Sequence, residues 1–350
     1  MKFLHIADVH LGAKPDSGKL LSGIREKEIW TSLKHVLEVC RDDQVDLLLI
    51  AGDLFHRQPL LRELKELNSI FAIAPDTEIV IIAGNHDHMK SNSYYLTFRW
   101  ESHVHMITSD EMDVVILPKI ETAVYGFSYH EREITENRYH NQRAQKLEKY
   151  EILLAHGGDE KHVPFQRGEL MGLGYDYIAL GHIHRPGALL EDTICYAGAL
   201  EPIDKNDVGI HGFIVGELTD QGCSAKFIPC ALREYIHMDL PVSPELTNYS
   251  LMEKLRTEMR ERGSQNLFKV TLTGYRDPDI TFTVDDLYYA GNVVEIIDTT
   301  KPAYDYETLR KNNMDNILGL FIDSFKGVEE DSLEYKALSE GVQALLDSRE

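Results

Sequence analysis

No apolar run in this sequence approaches the roughly 20 residues that span a bilayer, so no membrane-spanning helix is expected. Cysteine is scarce. Cys40, Cys195, Cys223 and Cys230 are the only four in 350 residues, and none forms a C-x-x-C pair. They read as reduced, mostly buried thiols of a cytoplasmic protein. The opening "MKFLHIADVH" is apolar for only a few residues before it turns acidic, unlike a secretory leader. Basic charge is also short: 36 Lys and Arg stand against 58 Asp and Glu, a net charge of −22. Affinity for phosphate backbones comes largely from Lys and Arg, which excludes a simple nucleic-acid coat protein. A nucleic-acid function would need bound cations, a local basic patch or a basic partner.

The chain is 43% hydrophobic, enough for a substantial core, and its length suits about two domains. "KFLHIA" (2–7), "VDLLLIA" (45–51) and "EIVIIA" (78–83) are short continuous apolar runs, the signature of strands buried on both faces. Between the first two, Ile29, Leu33, Val36, Leu37 and Cys40 follow helical spacing within 25–43, and 60–72 reads as a second helix. Strand-helix alternation implies an α/β sheet with helices on its faces. Further strands are expected at 114–118, 122–127, 151–156, 176–180, 193–198 and 212–218. The charged stretch 130–150 reads as a solvent-facing helix or loop. After about residue 232 the composition shifts to a small α+β module: a helix at 251–262, then strands at "FKVTLTG", "DITFTV" and "NVVEIID". Beyond Pro302 two amphipathic helices close the chain.

The chemistry lies at the strand ends. "KFLHIA" runs into Asp8 and His10, and "VDLLLIA" into Gly52-Asp53, with His56 three further on. "EIVIIA" runs into Gly84-Asn85-His86-Asp87. "EILLA" ends in His156-Gly157, and "DYIAL" ends in Gly181-His182-Ile183-His184. In open α/β sheets ligands bind beyond the carboxyl ends of strands. One D-x-H or G-H-x-H alone is weak, because surface and structural histidines are common. Five such elements in order are specific. Asp8, His10, Asp53, Asn85, His156, His182 and His184 are N and O donors suited to Mn²⁺, Fe²⁺, Co²⁺ or Zn²⁺. With one bridging carboxylate, seven ligands fill two four-ligand shells, and paired cations serve phosphoryl transfer.

That order of motifs resembles the calcineurin-like metallophosphoesterases. "FLHIADVHLG", "VDLLLIAGDLFH", "IVIIAGNHD" and "YDYIALGHIHRP" are similar to the SbcD/YhaO-like DNA repair exonuclease branch, and the likeness continues to about residue 218. The resemblance implies a four-layer α/β/β/α sandwich with a small α+β cap and a helical tail. The domains would be 1–232 (nuclease), 233–300 (cap) and 301–350 (tail). It implies two divalent ions, Mn²⁺ favoured, one held by Asp8, His10 and His184, the other by Asn85, His156 and His182, with Asp53 bridging. It gives His86 a proton-handling role, and His56 matches the "DLFH" form of some members. DNA would be the substrate and an SbcC-like coiled-coil ATPase the partner of a homodimer, the tail helices docking on that ATPase.

Two other readings share this constellation. One is a phosphodiesterase for a small nucleotide, distinguished by the segment after residue 232: a DNA enzyme needs a cap there that aligns a duplex, a small-molecule enzyme only a lid. The other is a non-catalytic scaffold of the same fold; such proteins usually lose ligands, and no ligand is missing from this chain. Arg132, Arg138, Arg143, Lys161 and Arg185 lie near the site loops, with solvated surface charge the favoured reading for each. The remaining histidines, His162 among them, match no motif and read as structural or surface groups.

Overall fold

The structure is a computed structural model that describes residues 1–17, 21–329 and 332–348. The chain divides into two compact units, Met1–Ile236 with Gln265–Leu267, and His237–Ser264 with Phe268–Glu350. The elements are, in order, β1 (Lys2–Ile6), α1 (Ser22–Asp42), β2 (Leu47–Ala51), α2 (Leu61–Phe71), β3 (Glu78–Ile82), β4 (Val104–Met106), β5 (Asp113–Leu117), β6 (Thr122–Gly126), β7 (Tyr150–His156), α3 (Arg167–Met171), β8 (Tyr177–Gly181), β9 (Gly187–Leu190), β10 (Ile194–Tyr196), β11 (Gly212–Thr219) and β12 (Gly222–Pro229). There follow β13 (Tyr235–Val242), α4 (Asn248–Glu261), β14 (Leu267–Arg276), α5 (Val284–Leu287), β15 (Val293–Asp298), β16 (Lys301–Pro302), α6 (Tyr306–Asn312), α7 (Ile317–Ser324) and α8 (Leu333–Asp347).

The first unit is a sandwich of two six-stranded sheets, ordered β12-β11-β1-β2-β3-β4 and β5-β6-β7-β8-β10-β9. Strands β1, β2 and β3 run parallel, as do β6, β7 and β8. The apolar runs are continuous because each strand is covered on both faces. In β2, Leu48 and Ile50 pack toward α1 and α2, while Leu47, Leu49 and Ala51 face the second sheet. Ile29, Leu33, Val36, Leu37 and Cys40 of α1 are all fully buried. The far side of the second sheet is covered by Leu170 of α3 and by Ile134 and Tyr139 from the irregular segment 130–149. Helix, sheet, sheet and outer cover give the four layers. Among the described residues no helix is long and apolar enough to cross a membrane.

In the second unit the helix and the strands at "FKVTLTG" and "NVVEIID" form as expected. "DITFTV" does not form a strand. Its backbone is satisfied elsewhere: Thr283 N donates to Asn248 Oδ1, Asn248 Nδ2 donates to Thr281 O, and Arg276 Nη1 donates to Ile280 O. The first tail helix is broken into α6 and α7. Asn316 caps α7 by accepting from Leu318 N and Gly319 N, which competes with a continuous helix. Leu318, Ile322, Leu338 and Val342 close a small core between the tail helices, while Met314, Ile317, Leu320 and Leu333 stay exposed. Strands β4, β9, β12, β13 and β16 have no counterpart among the sequence-based expectations. The first is three residues long, and β12 alternates exposed and half-buried positions on an edge.

The connection from α1 to the end of the second sheet rests on a buried charge. Arg25 is fully buried, with Nη1 2.6 Å from Glu28 and 3.4 Å from the equally buried Glu201, while Nη2 donates to Pro202 O at 2.6 Å. Glu201 also accepts from Ser32 Oγ and Leu232 N. Arg25→Ala would strand the Glu201 carboxylate and is expected to lower stability by about 3–5 kcal/mol. Urea unfolding would read it, and a loss under about 1 kcal/mol would show that the hydroxyl and amide donors suffice.

Candidate metal centre

The carboxyl ends of β1, β2 and β3 from one sheet and of β7 and β8 from the other meet at one edge of the sandwich. Close approach needs residues without side chains. A Cβ on Gly181 would overlap Ala51 O, and one on Gly84 would overlap the Asp53 carboxylate. His156 Nδ1 spans the gap, 2.8 Å from Ala51 O. A carbonyl only accepts, so Nδ1 carries the proton and Nε2 presents its lone pair to the site. The second crossing is His182 N, which donates to the Asp8 carboxylate at 2.9 and 3.1 Å. Asp8, His10 and Asp53 have φ of 50–53° and His182 has 95°. Left-handed backbone at non-glycine residues costs on the order of 1–3 kcal/mol each and concentrates at functional sites.

All seven ligand candidates converge. Asp8, His10 and His184 form one group of donor atoms within 4.8 Å of one another, and Asp8, Asp53 and His156 form another. His10 Nε2 faces His184 Nε2 at 3.1 Å. Asn85 Oδ1 stands 3.0 Å from His156 Nε2 and 3.2 Å from His182 Nδ1. Asp53 Oδ2 lies between the two sets, 3.9 Å from His10 Nε2 and 3.6 Å from His156 Nε2.

At the mouth, His86 and His56 stack with ring centroids 4.9 Å apart. His86 N donates to Asp53 Oδ1 at 2.8 Å, and His86 Nδ1 lies 3.3 Å from His56 O. His56 is exposed, and its Nδ1 is 3.4 Å from His10 Nδ1. Asp87 turns away. Its carboxylate accepts from Gly84 N, Phe55 N and the Tyr95 hydroxyl, tying the loops after β2 and β3 together. Two carboxylates outside every motif also reach the centre, with Asp207 facing His184 and Asp159 facing His182. His162, read from sequence as structural or surface, shares Asp159. Arg138 is engaged with Asp110 O and the Phe127 ring, and Lys161 with Glu133, while burial, with a smaller contribution from the Arg132 charge, holds His86 below its ordinary value.

The donor set fits divalent cations. Burial pushes Asp8 up to about 8 and Asp53 up to about 6. Burial also pushes His10 well below its ordinary value, and His156 and His182 down to about 3 and about 4. His184 goes the other way: although burial opposes it, Asp207 and Asp8 raise it to about 9. Carboxylates that resist ionisation, crowded against imidazoles that resist protonation, are what a bound cation compensates.

Comparison with known proteins agrees with this geometry. The family description "Calcineurin-like phosphoesterase" matches residues 1–186. The chain is 26% identical over 298 residues to the uncharacterized metallophosphoesterase YhaO of Bacillus subtilis, covering 78% of this chain and 72% of that protein. It is 29% identical over 235 residues to the DNA double-strand break repair protein Mre11 of Aeropyrum pernix, covering 60% of this chain and 56% of that protein. It is 24% identical over 263 residues to the SbcD component of the SbcCD nuclease of Staphylococcus saprophyticus, covering 65% of this chain and 69% of that protein. The chain thus spans between about half and three quarters of the length of these relatives. A match over residues 1–186 takes in more than half of the 350, and the chain belongs to the calcineurin-like phosphoesterase family.

Proposed function

We propose that this phosphoesterase is a dinuclear-metal phosphodiesterase acting on DNA, an SbcD-like exonuclease or endonuclease of DNA repair that works in the cytoplasm. The observation that carries the reading is the convergence of the other six donors around Asp53, with His86 and His56 beside them. Asp8, His10 and His184 would hold one cation, Asn85, His156 and His182 the other, and Asp53 would contact both. Mn²⁺ is the favoured ion, with Fe²⁺, Co²⁺ and Zn²⁺ compatible with the same donors. Bound there, the pair would lower the pKa of a water and draw charge from the phosphate oxygens.

The chain's own groups supply the rest. His86 is anchored through its backbone N–H to Asp53 and through Nδ1 to His56 O, which leaves Nε2 as the nitrogen available for proton transfer. A proton delivered from it to the leaving 3′ oxygen is general acid catalysis. His56, exposed and stacked on His86, would contact the substrate beside it. Residues 233–300 would serve as the DNA-facing cap of a homodimer, and 301–350 as the segment that recruits an SbcC-like ATPase.

The net charge of −22 favours one alternative, a phosphodiesterase for a small nucleotide, which needs no extended basic surface. The deciding experiment incubates the full chain and Mn²⁺ with end-labelled DNA, bis-p-nitrophenyl phosphate and cyclic nucleotides in parallel. Cleavage of cyclic nucleotides with DNA left intact would reject the DNA reading.

Asp53→Asn is expected to reduce metal content in both halves of the centre and nearly abolish turnover. A variant that retains two tightly bound ions and most of its activity would reject the bridging role. His86→Gln is expected to keep its metals and lose roughly 10²–10⁴ in turnover on DNA. The loss should shrink on bis-p-nitrophenyl phosphate, whose leaving group needs no proton, and equal losses on both substrates would point to positioning. In the tail, exposed Ile317 and Leu320 lie on the side of α7 away from the small core. Changing both to Asp should abolish co-purification with an SbcC-like ATPase and leave bis-p-nitrophenyl phosphate hydrolysis at the wild-type rate. Undiminished ATPase binding would exclude this face.

A further inference from the structure

A neutral imidazole has one lone pair and one N–H. A ring that offers one nitrogen to a cation needs an acceptor at the other to fix its tautomer and orientation. His156 meets that need with a backbone carbonyl, Ala51 O. Two other rings meet it with side chains. His184 has Nε2 inside the cluster, 3.1 Å from His10 Nε2, and Nδ1 at 3.1 and 3.2 Å from the two oxygens of Asp207. His182 is reversed: Nδ1 is inside, 3.2 Å from Asn85 Oδ1, and Nε2 lies 2.7 Å from Asp159 Oδ2.

We propose that Asp207 and Asp159 are the positioning residues of the metal centre, one for each half: Asp207 fixes His184 and Asp159 fixes His182. The proposal rests on the metal-centre reading above. Each carboxylate is itself held. Asp207 Oδ2 accepts from Ile203 N at 3.0 Å and Asp204 N at 3.1 Å, and its carbonyl lies 3.1 Å from His211 Nε2. Asp159 Oδ1 accepts from Lys161 N at 2.8 Å and His162 N at 2.9 Å, and the His162 ring lies 2.8 Å from the same oxygen. The two differ in exposure. Asp207 is 14% exposed and Asp159 46%. Water screens a half-exposed charge, so the Asn85 half of the centre depends less on its carboxylate than the Asp8 half does. His162 shares Asp159 with His182 and also packs directly on the His182 ring, with ring centroids 4.3 Å apart.

Both carboxylates also cap turns of their own loops, so the competing account is purely local folding. Mn²⁺ binding separates the two accounts. Calorimetric titration of the full-length protein with Mn²⁺, beside thermal melting of the metal-free form, is run on wild type, Asp207→Asn and Asp159→Asn. Asp207→Asn should weaken one of the two Mn²⁺ ions by about 10–100-fold, the usual cost of losing such a partner, and leave the other unchanged. Asp159→Asn should weaken the other ion by less. Should Asp207→Asn fail to fold, the exposed Asp159→Asn decides. Mn²⁺ affinities equal to wild type in the folded variants, with only the metal-free melting temperature lowered, would overturn the proposal and leave the centre intact. A wild type that binds no Mn²⁺ would overturn both. A wild type that binds two ions but cleaves no DNA would overturn the substrate reading alone.

Discussion

The hydrogen bond that His156 Nδ1 donates to Ala51 O, 2.8 Å long, ties the end of β7 in one sheet to the end of β2 in the other. Everything at the site depends on how near those ends come. Gly52 lies under the His156 ring, and a Cβ there would stand 2.5 Å from Nδ1. Gly181 lies against Ala51 O and Gly84 against Asp53. Side chains at these positions would wedge the sheets apart, and Asn85 and Asp53 would then miss the rings opposite. The glycines in the strand-end motifs are therefore spacers between two sheets as well as turn formers.

The same closeness creates an electrostatic problem. Asp8, Asp53 and Asp87 are buried in one corner, and burial pushes each upward, Asp87 to about 7. Asp87 resolves its share with two backbone amides and the Tyr95 hydroxyl. Asp8 receives one amide, from His182, and Asp53 one, from His86. The carboxylate that ties loops together is saturated with donors, while the two read as ligands keep lone pairs free. That division, among identical side chains, separates a structural acid from the two proposed as metal ligands by counting hydrogen bonds.

Legibility from sequence followed the physics of burial. Strands β1, β2 and β3 are continuous apolar runs because both faces are covered, and their ends are where donors cluster, so Asp8, Asp53 and Asn85 stood out. Asp207 and Asp159 did not, because nothing local marks them. Asp207 lies 23 residues beyond His184 and Asp159 lies 23 residues before His182, and loop closure brings each pair together. "DITFTV" had the composition of a strand, but its amides and carbonyls are taken up by Asn248 and Arg276. Composition records what a segment could pair with and says nothing of which partner is nearer. The α6–α7 break is set by Asn316, whose side chain caps α7, a cue that the amphipathic pattern beyond Pro302 does not distinguish from a continuous helix.

Charge is where site and surface pull apart. The cations near the centre are few, and part of their capacity is spent inside the protein: Arg138 on Asp110 O and the Phe127 ring, Lys161 on Glu133. A chain with net charge −22 therefore has little with which to hold a long polyanion through its own Lys and Arg. On the proposed reading, its attraction for phosphate would be concentrated at the metal centre, where bound cations would reverse the sign of a corner built from buried carboxylates. Such an arrangement engages one phosphate strongly and its neighbours weakly. It suits an enzyme that a basic partner delivers to DNA, and it also suits one whose substrate carries a single phosphodiester. Under the proposed partner reading, Ile317 and Leu320 on the exposed side of α7 would be the apolar residues that docking covers.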